Sequence, residues 1–243
     1  MPSADLSPDL SPDLSPDLSP DLSIVIPTLN AAASLGATLG ALRREAPEAE
    51  IVVADGGSRD GTPDLARARR ARVIAAAPGR GTQLAAGAEA AGGNWLLFLH
   101  ADTLPEPGWR AAVEAFAADP ANRERAAVFA FALADPAPAA RRLERIVAWR
   151  TRALGLPYGD QGLLISRRLY DEIGGFRGLP LMEDVDLVRR LGKARLTQLP
   201  VAAQTSAARY RRGGYVARPL RNLTCLGLYF LGFPLPWIAR LYR

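Results

Sequence analysis

From Trp95 to Leu99 five apolar residues run without a break and are then stopped by His100, Ala101 and Asp102. An apolar run of that length, ended by polar residues, predicts a strand buried on both faces of a parallel sheet. Shorter runs predict strands at Ser23–Pro27, at Glu50–Ala54 ending in Asp55, and at Arg72–Ala75. Between them the apolar period lengthens to that of a helix: Leu35, Leu39 and Leu42 within Ala32–Glu45, then a helix with Thr62 as N-cap and Pro63 in its first turn. A Gly-rich turn over residues 78–82 opens an Ala-rich helix to about Ala91. Strands alternating with helices imply right-handed crossovers and a mostly parallel sheet, the α/β class.

Beyond Asp102 the pattern continues less regularly. Trp109, Val113 and Phe116 mark an amphipathic helix ended near Pro120, and Ala126–Leu133 reads as a strand. Arg141–Leu154 reads as a helix with Leu143, Ile146, Val147 and Leu154 on one side and arginines on the other. Tyr158-Gly-Asp-Gln161 precedes another strand, and Gly174 and Gly175 close a short helix. Residues 182–186 open one more that ends near Gly192.

Two segments stand outside this alternation. Over residues 1–21 Asp-Leu-Ser-Pro recurs, and a proline every fourth residue forbids helix and starves a sheet of donors, so a disordered low-complexity tail is expected. It lacks the basic start and apolar centre of a signal peptide. Over residues 209–243, Arg209, Arg211, Arg212, Arg218 and Arg221 crowd before an uncharged stretch, Asn222–Ile238, broken by Pro234 and Pro236. At about seventeen residues that stretch is marginal for a membrane span. It reads as a basic, apolar helical appendage for which three placements stand: a membrane interface, the core, or a second subunit in a homodimer. Packing is preferred to membrane contact.

Composition narrows the class. At 243 residues the chain suits one sizeable α/β domain, placed at residues 22–208. The net charge of +5 is carried almost wholly by arginine, Lys193 being the only lysine. That suits an anionic ligand or surface, and equally an Arg-rich coding composition. One cysteine, Cys225, forms no internal disulfide, and a single histidine excludes a Cys/His zinc cluster. A cytoplasmic enzyme fits, and no motif points to nucleic acid.

The candidate chemistry lies at the strand tips. In open α/β sheets ligands sit at the carboxyl ends of strands, where Asp55 and Asp102 are expected. For Asp102 alone, a turn-capping role and a catalytic role are both open. The Gly-containing loop after Asp55 would let backbone approach a base or phosphate. A departing pyrophosphate needs its charge neutralised by a divalent ion on carboxylate oxygen or by Arg. Glu183 and Asp184 read either as acids stabilising a helix start or as site residues. His100 is a poor magnesium ligand, and its role stays open.

Four motifs in order, Ser23–Thr28, Asp55-Gly-Gly-Ser-Arg-Asp-Gly-Thr62, the apolar strand into His100-Ala-Asp102, and Met182-Glu-Asp-Val-Asp186, resemble the inverting family-2 glycosyltransferases of GT-A fold. The resemblance spans Leu22 to about Tyr210. It implies that Pro27, Thr28, Asn30, Asp55 and Gly56 border the uracil and ribose of a UDP-sugar. It implies that Asp102 is the surviving carboxylate of the family's DxD motif, holding diphosphate and a divalent metal, magnesium or manganese, with His100 beside it. Asp184 would match the catalytic base, with Glu183 adjacent. His100 stands where the first Asp of DxD usually does, which leaves metal dependence open.

A finer resemblance is to the selenium-associated branch, that of selenosugar synthesis within selenoneine biosynthesis. It is carried by Gly79-Arg-Gly-Thr-Gln83, His100-Ala-Asp-Thr103, Tyr158-Gly-Asp-Gln-Gly162, the Thr205-Ser-Ala run and the Ala-Arg-Leu-Tyr-Arg ending. It implies transfer of the sugar of UDP-N-acetylglucosamine or UDP-glucose to selenophosphate, and adds Arg80, Gln83, Asp160 and Gln161 to the site. An acceptor that is already anionic needs cations more than a base, so Arg80, Arg152, Arg209 and Arg212 are candidate anion ligands. Asp184 is then expected against a sugar hydroxyl, Gln161 or an arginine. The alternatives are transfer to a membrane lipid phosphate and a non-catalytic nucleotide-sugar-binding scaffold.

Overall fold

A computed structural model describes residues 21–242, apart from the side chain of Arg209; the tail expected to be disordered falls, all but Asp21, outside the described residues. In chain order the elements are β1 (Leu22–Thr28), α1 (Ala32–Glu45), β2 (Glu50–Asp55), α2 (Thr62–Ala68), β3 (Arg72–Ala75), α3 (Arg80–Ala90), β4 (Trp95–Phe98) and β5 (Thr103–Pro105). There follow α4 (Trp109–Ala118), β6 (Ala126–Leu133), α5 (Pro138–Leu154), β7 (Leu163–Ser166), α6 (Arg167–Glu172), α7 (Glu183–Leu191) and β8 (Leu196–Thr205). The chain ends in α8 (Ala208–Gly213), α9 (Ala217–Phe230) and α10 (Leu235–Tyr242).

The strands form one sheet in the order β3-β2-β1-β4-β7-β6-β8-β5. The pairs β1/β2, β1/β4, β2/β3 and β6/β8 are parallel, whereas β4/β7, β6/β7 and β5/β8 are antiparallel. Alternate residues of the central strands serve two cores. Ile24, Ile26, Ile51, Val53, Leu97 and Leu99 face α1, α2 and α4. Val25, Val52, Leu96 and Phe98 face α3, α7 and the α9–α10 pair. Burial on both faces is why these strands read as continuous apolar runs and not as alternating ones.

The sheet must curl. β5 follows β4 after only four residues, yet it is paired at the far edge with three strands between. Four strand spacings of about 4.8 Å exceed what that short turn spans, since Thr103 N–H folds back to the His100 carbonyl at 3.2 Å. The last strands therefore bend round so that β5 lies by α1, where Thr38 Oγ1 donates to the Ala101 carbonyl at 2.9 Å. The turn after β4 is pinned from both sides.

Several expectations are corrected. The α2 N-cap is Gly61, at φ 82°, and not Thr62; Asp60 takes the capping role, its Oδ1 accepting from Thr62 N–H at 3.1 Å. On α5 the buried side is Ala140, Leu143, Val147 and Thr151, while Ile146 and Leu154 are exposed. β5 and β8 escaped the pattern altogether. β5 is three residues ending in proline, and β8 carries Pro200 with a register irregularity opposite Val128–Ala130, so neither shows a clean period. The C-terminal stretch breaks into three helices whose buried residues, Cys225, Leu226 and Ile238, join the α3–α7 core. Among the described residues no helix is long and apolar enough to cross a membrane.

Candidate active site

One cavity opens at the carboxyl edge of the sheet. Its wall is built from Arg80 at the start of α3, His100 and Asp102 after β4, Tyr158, Gly159 and Asp160 before β7, and Glu183 and Asp184 at the start of α7. The C-terminal helices close it with Tyr210, Arg218, Asn222 and Tyr242. Six residues singled out from the sequence, Arg80, His100, Asp102, Asp160, Glu183 and Asp184, thus meet in one place although more than one hundred positions separate the first and last.

Backbone geometry aims them. Met182 holds a left-handed conformation, φ 65°, at the α7 N-cap, a cost of about 1–3 kcal/mol for a residue without glycine's freedom. That turn points Glu183 and Asp184 into the cavity together. Asp184 is fixed through both oxygens: Gly159 N–H donates to Oδ2 at 2.8 Å and Val185 N–H donates to Oδ1 at 2.7 Å. Among the described residues neither Gln161 nor an arginine hydrogen-bonds it; the bonds it does accept come from backbone. Gly159 also lies against His100, where a Cβ would sit 2.6 Å from Nε2.

The charges are mutually tuned. Glu183 is buried, and burial together with Asp184 pushes its pKa up to about 7 against the pull of Arg80, whose Nη1 stands 3.2 Å from Glu183 Oε1. Burial acts against the Arg80 charge, but Glu183 and Asp184 outweigh it and raise that pKa further. Asp160 is raised to about 6, by burial first, with Arg150 and Arg80 opposing and Asp184 and Asp102 adding to the rise; its Oδ1 is buried and has no hydrogen-bond partner among the described residues. Glu183 and Asp160 therefore hold their protons more readily than isolated carboxylates would.

Other predicted residues lie elsewhere. Thr28 and Asp55 are register partners at the tips of β1 and β2, and Asp55 accepts from Thr28 Oγ1 at 2.9 Å, from Ser58 Oγ at 2.5 Å, and from the N–H groups of Gly57 and Ser58 at 3.0 and 2.8 Å. Burial opposes these bonds, but together they hold its pKa below the ordinary carboxylate range. Asn30 Oδ1 accepts from Arg59 N–H at 2.9 Å, and the half-buried Pro27 pairs in register with Ala54. Gln83 donates from Nε2 to the carbonyls of Thr28 and Ala54, at 2.6 and 2.9 Å, and packs under Gly56. It braces the two strand tips from below instead of facing the cavity.

Gln161 is likewise buried, its Oε1 accepting from Thr151 Oγ1 at 2.9 Å and its Nε2 donating to the Phe129 carbonyl at 3.1 Å. Arg152 lines a separate surface hollow with Lys193 and Gln198, and Arg212 is exposed on α8. Arg209 is placed in α8 by its backbone, its side chain lying outside the description. The α5 arginine that approaches the site is Arg150, whose guanidinium carbon stacks 3.5 Å from the Tyr158 ring centroid. Two positions along a helix turn the side chain by about 200°, so picking Arg152 chose the opposite face. Arg218, Asn222, Tyr158, Tyr210 and Tyr242 were not singled out as site residues. Tyr158 at least opened the Tyr158-Gly-Asp-Gln-Gly162 motif; the other four lie scattered in the tail and show their convergence only once α8–α10 fold back over the sheet.

Carboxylates at the tips of β2 and β4, on either side of β1, a helix start bearing two acids, and a curled α/β sheet are the architecture of the GT-A fold. The chain matches the model of glycosyl transferase family 2 over residues 23–154 and belongs to that family. No curated protein sequence matches it. Among solved structures, glucosyl-3-phosphoglycerate synthase from Mycobacterium tuberculosis, in complex with Mn2+, UDP and glucosyl-3-phosphoglycerate, aligns with TM-score 0.57 and 20% identity over 88% of this chain and 81% of that one. The mannosyltransferase PcManGT from Pyrobaculum calidifontis, in complex with GDP-Man and Mn2+, gives 0.62 and 20% over 88% and 64%. Mannosyl-3-phosphoglycerate synthase from Rubrobacter xylanophilus gives 0.59 and 19% over 88% and 76%.

Proposed function

We propose that the chain moves the sugar of UDP-N-acetylglucosamine or UDP-glucose onto selenophosphate with inversion. Selenium attacks the anomeric carbon as the bond from that carbon to the UDP oxygen breaks, and hydrolysis of the P–Se bond by water then leaves the selenosugar and phosphate. The observation that carries this reading is the meeting of Arg80 and Arg218 with Asp184 in one cavity, Asp184 being anchored by two backbone amides. An alcohol acceptor must lose a proton as it attacks and needs a base in reach. Selenophosphate arrives anionic, so guanidinium forks suffice to hold its oxygens. Asp184 then serves to orient the donor sugar through a hydroxyl. The ordered motifs of the selenium-associated branch support the same acceptor.

On the donor side, Asp55, Thr28 and the Gly56–Gly57 turn form the nucleoside end, and Asp102 with His100 the diphosphate end. A divalent cation fits this donor set. Asp102 and Asp160 offer hard oxygens, and among the described residues no three His, Cys, Asp or Glu side chains are grouped to hold an ion by themselves. Magnesium and manganese sites that lean on one or two carboxylates and complete themselves with substrate phosphate have this character. Such an ion, held by Asp102 with His100 alongside, would neutralise the diphosphate as it leaves. The Mn2+ complexes of the two structural neighbours support it.

A lipid phosphate is the second reading, favoured by the exposed apolar surface of α9 and α10, helices that also supply cavity residues. The test incubates the protein with each UDP-sugar, magnesium or manganese, and either selenophosphate or a polyprenyl phosphate, and follows products by mass. A selenosugar with UDP is expected. A polyprenyl-linked product alone would replace the main reading with the second, and UDP binding without turnover would favour a scaffold. In the same assay Asp184→Asn separates roles: a rate near wild type excludes a base, whereas lost transfer with donor binding intact keeps the orienting role.

A further inference from the structure

After Asp186 the chain carries eleven Arg and Lys residues and no Asp or Glu, so the remainder, residues 1–186, is net acidic. The same cationic end holds eight of the twelve exposed large hydrophobic residues among the described residues, all between Val216 and Leu241. On α9 they fall at one helical face. Leu220 and Leu223 are 60% and 62% exposed and are continued by Leu231 at 76%, while Cys225 and Leu226 on the opposite side are buried in the core. Residues 231–234, Leu-Gly-Phe-Pro, form an exposed tip between the two helices, and Trp237, 71% exposed, stands on α10 with Ile238 buried beside it. Arg189 stacks on Phe230 at 4.9 Å from the ring centroid, and Arg212 and Arg240 are exposed at the flanks.

We infer that α9, the 231–234 tip and α10 lie on an anionic lipid surface, with Leu231, Phe233 and Trp237 entering the headgroup boundary and the flanking arginines meeting lipid phosphates. An amphipathic helix with aromatic and leucine residues on one face and arginines beside it lies in the plane of an interface. Two helices of fourteen and eight residues are too short to span one. A second copy of the chain fits this face less well. An isologous dimer would set two copies of a segment that carries arginines and no Asp or Glu against each other, whereas an anionic bilayer supplies negative charge for the exposed Arg212 and Arg240. The inference does not depend on the acceptor. Because Arg218, Asn222 and Tyr242 on the inner side of these helices line the cavity, docking would set the site entrance close to the bilayer.

The test uses the full chain and sedimentation with vesicles of phosphatidylcholine alone or with about one-third phosphatidylglycerol, at low and high salt. The wild type is expected to pellet with anionic vesicles at least about tenfold better than with neutral ones, and to lose that preference at about 1 M salt, where the screening length falls to about 3 Å. The variant L231D/F233D/W237D changes only exposed side chains and is expected to stay folded by circular dichroism and to stay in the supernatant. Failure of the wild type to bind anionic vesicles overturns the inference, as does equal binding by the variant. So does a wild-type dimer in solution that the variant converts to monomer, since the face would then be an interface between copies.

Discussion

Gly159→Ala isolates the geometry of the site from the stability of the fold. Gly159 has an ordinary backbone conformation, outside the positive-φ set, so alanine costs nothing in φ and removes some unfolded-chain freedom. The added Cβ, however, would stand 2.6 Å from His100 Nε2 and 3.0 Å from Cε1. Ordinary contact begins near 3.4 Å, so the imidazole must withdraw by roughly 0.8 Å, or the 158–160 loop must retreat and stretch the Gly159 N–H bond to Asp184. A ring at the end of a side chain can give way, which keeps the stability change within about 1 kcal/mol. A displacement near 1 Å at reacting groups costs up to about a hundredfold in rate. The expected result is a fall in kcat/KM of about 30- to 100-fold with Tm almost unchanged, read by UDP release beside a thermal melt. Gly227→Ala, a helical glycine whose Cβ would meet nothing within 4 Å, is the control and should match wild type. A Gly159→Ala enzyme within about twofold of wild-type kcat/KM would refute the placement of His100 and Asp184 in the reacting centre.

Removing the Gln83 amide with Gln83→Ala leaves the Ala54 carbonyl without that buried donor and the Thr28 carbonyl with only Gly56 N–H. A loss of about 2 kcal/mol follows, seen as a Tm lower by about 5 °C, with weakened UDP binding because both strand tips loosen. Glu183 carries a pH signature. Its folded pKa, about 7, lies above the unfolded value, so the folded state holds the extra proton and stability declines as pH rises from about 4.5 towards 7. Glu183→Gln should flatten that part of the Tm-against-pH curve, and an unchanged slope would contradict the buried placement of this carboxyl. Asp102→Asn should lower turnover by at least about a hundredfold and weaken UDP-sugar binding in the presence of manganese, measured by calorimetry with and without chelator.

The alternation of strands and helices was legible because each central strand is buried on both faces and each helix on one, which leaves a continuous run and a 3.6-residue period. The carboxyl tips followed directly: Asp55 and Asp102 end apolar runs. The β8–β5 end of the sheet was not legible. β5 and β8 are short or interrupted, and their pairing is set by a curl no local pattern encodes. Among site residues, those adjacent to strand ends or helix starts, Arg80, His100, Asp102, Asp160, Glu183 and Asp184, do converge on one cavity. Gln83 and Gln161 instead spend their amides on buried carbonyls and on Thr151, because a polar side chain pointing inward must find partners there. A residue's type in a motif does not reveal which way its side chain points.

By itself, then, the sequence determined the alternation of the central strands and helices, the class of sheet, and the acids placed at its carboxyl edge, since burial period and strand termini are local properties. Only the tertiary structure decided that Arg150 and not Arg152 faces the site, that Asp184 is held by backbone amides of two different segments, and that α9 and α10 turn one face to the cavity and the other outward. Those outcomes depend on how distant elements rotate against each other as the two cores fill, and no stretch of chain carries that information alone.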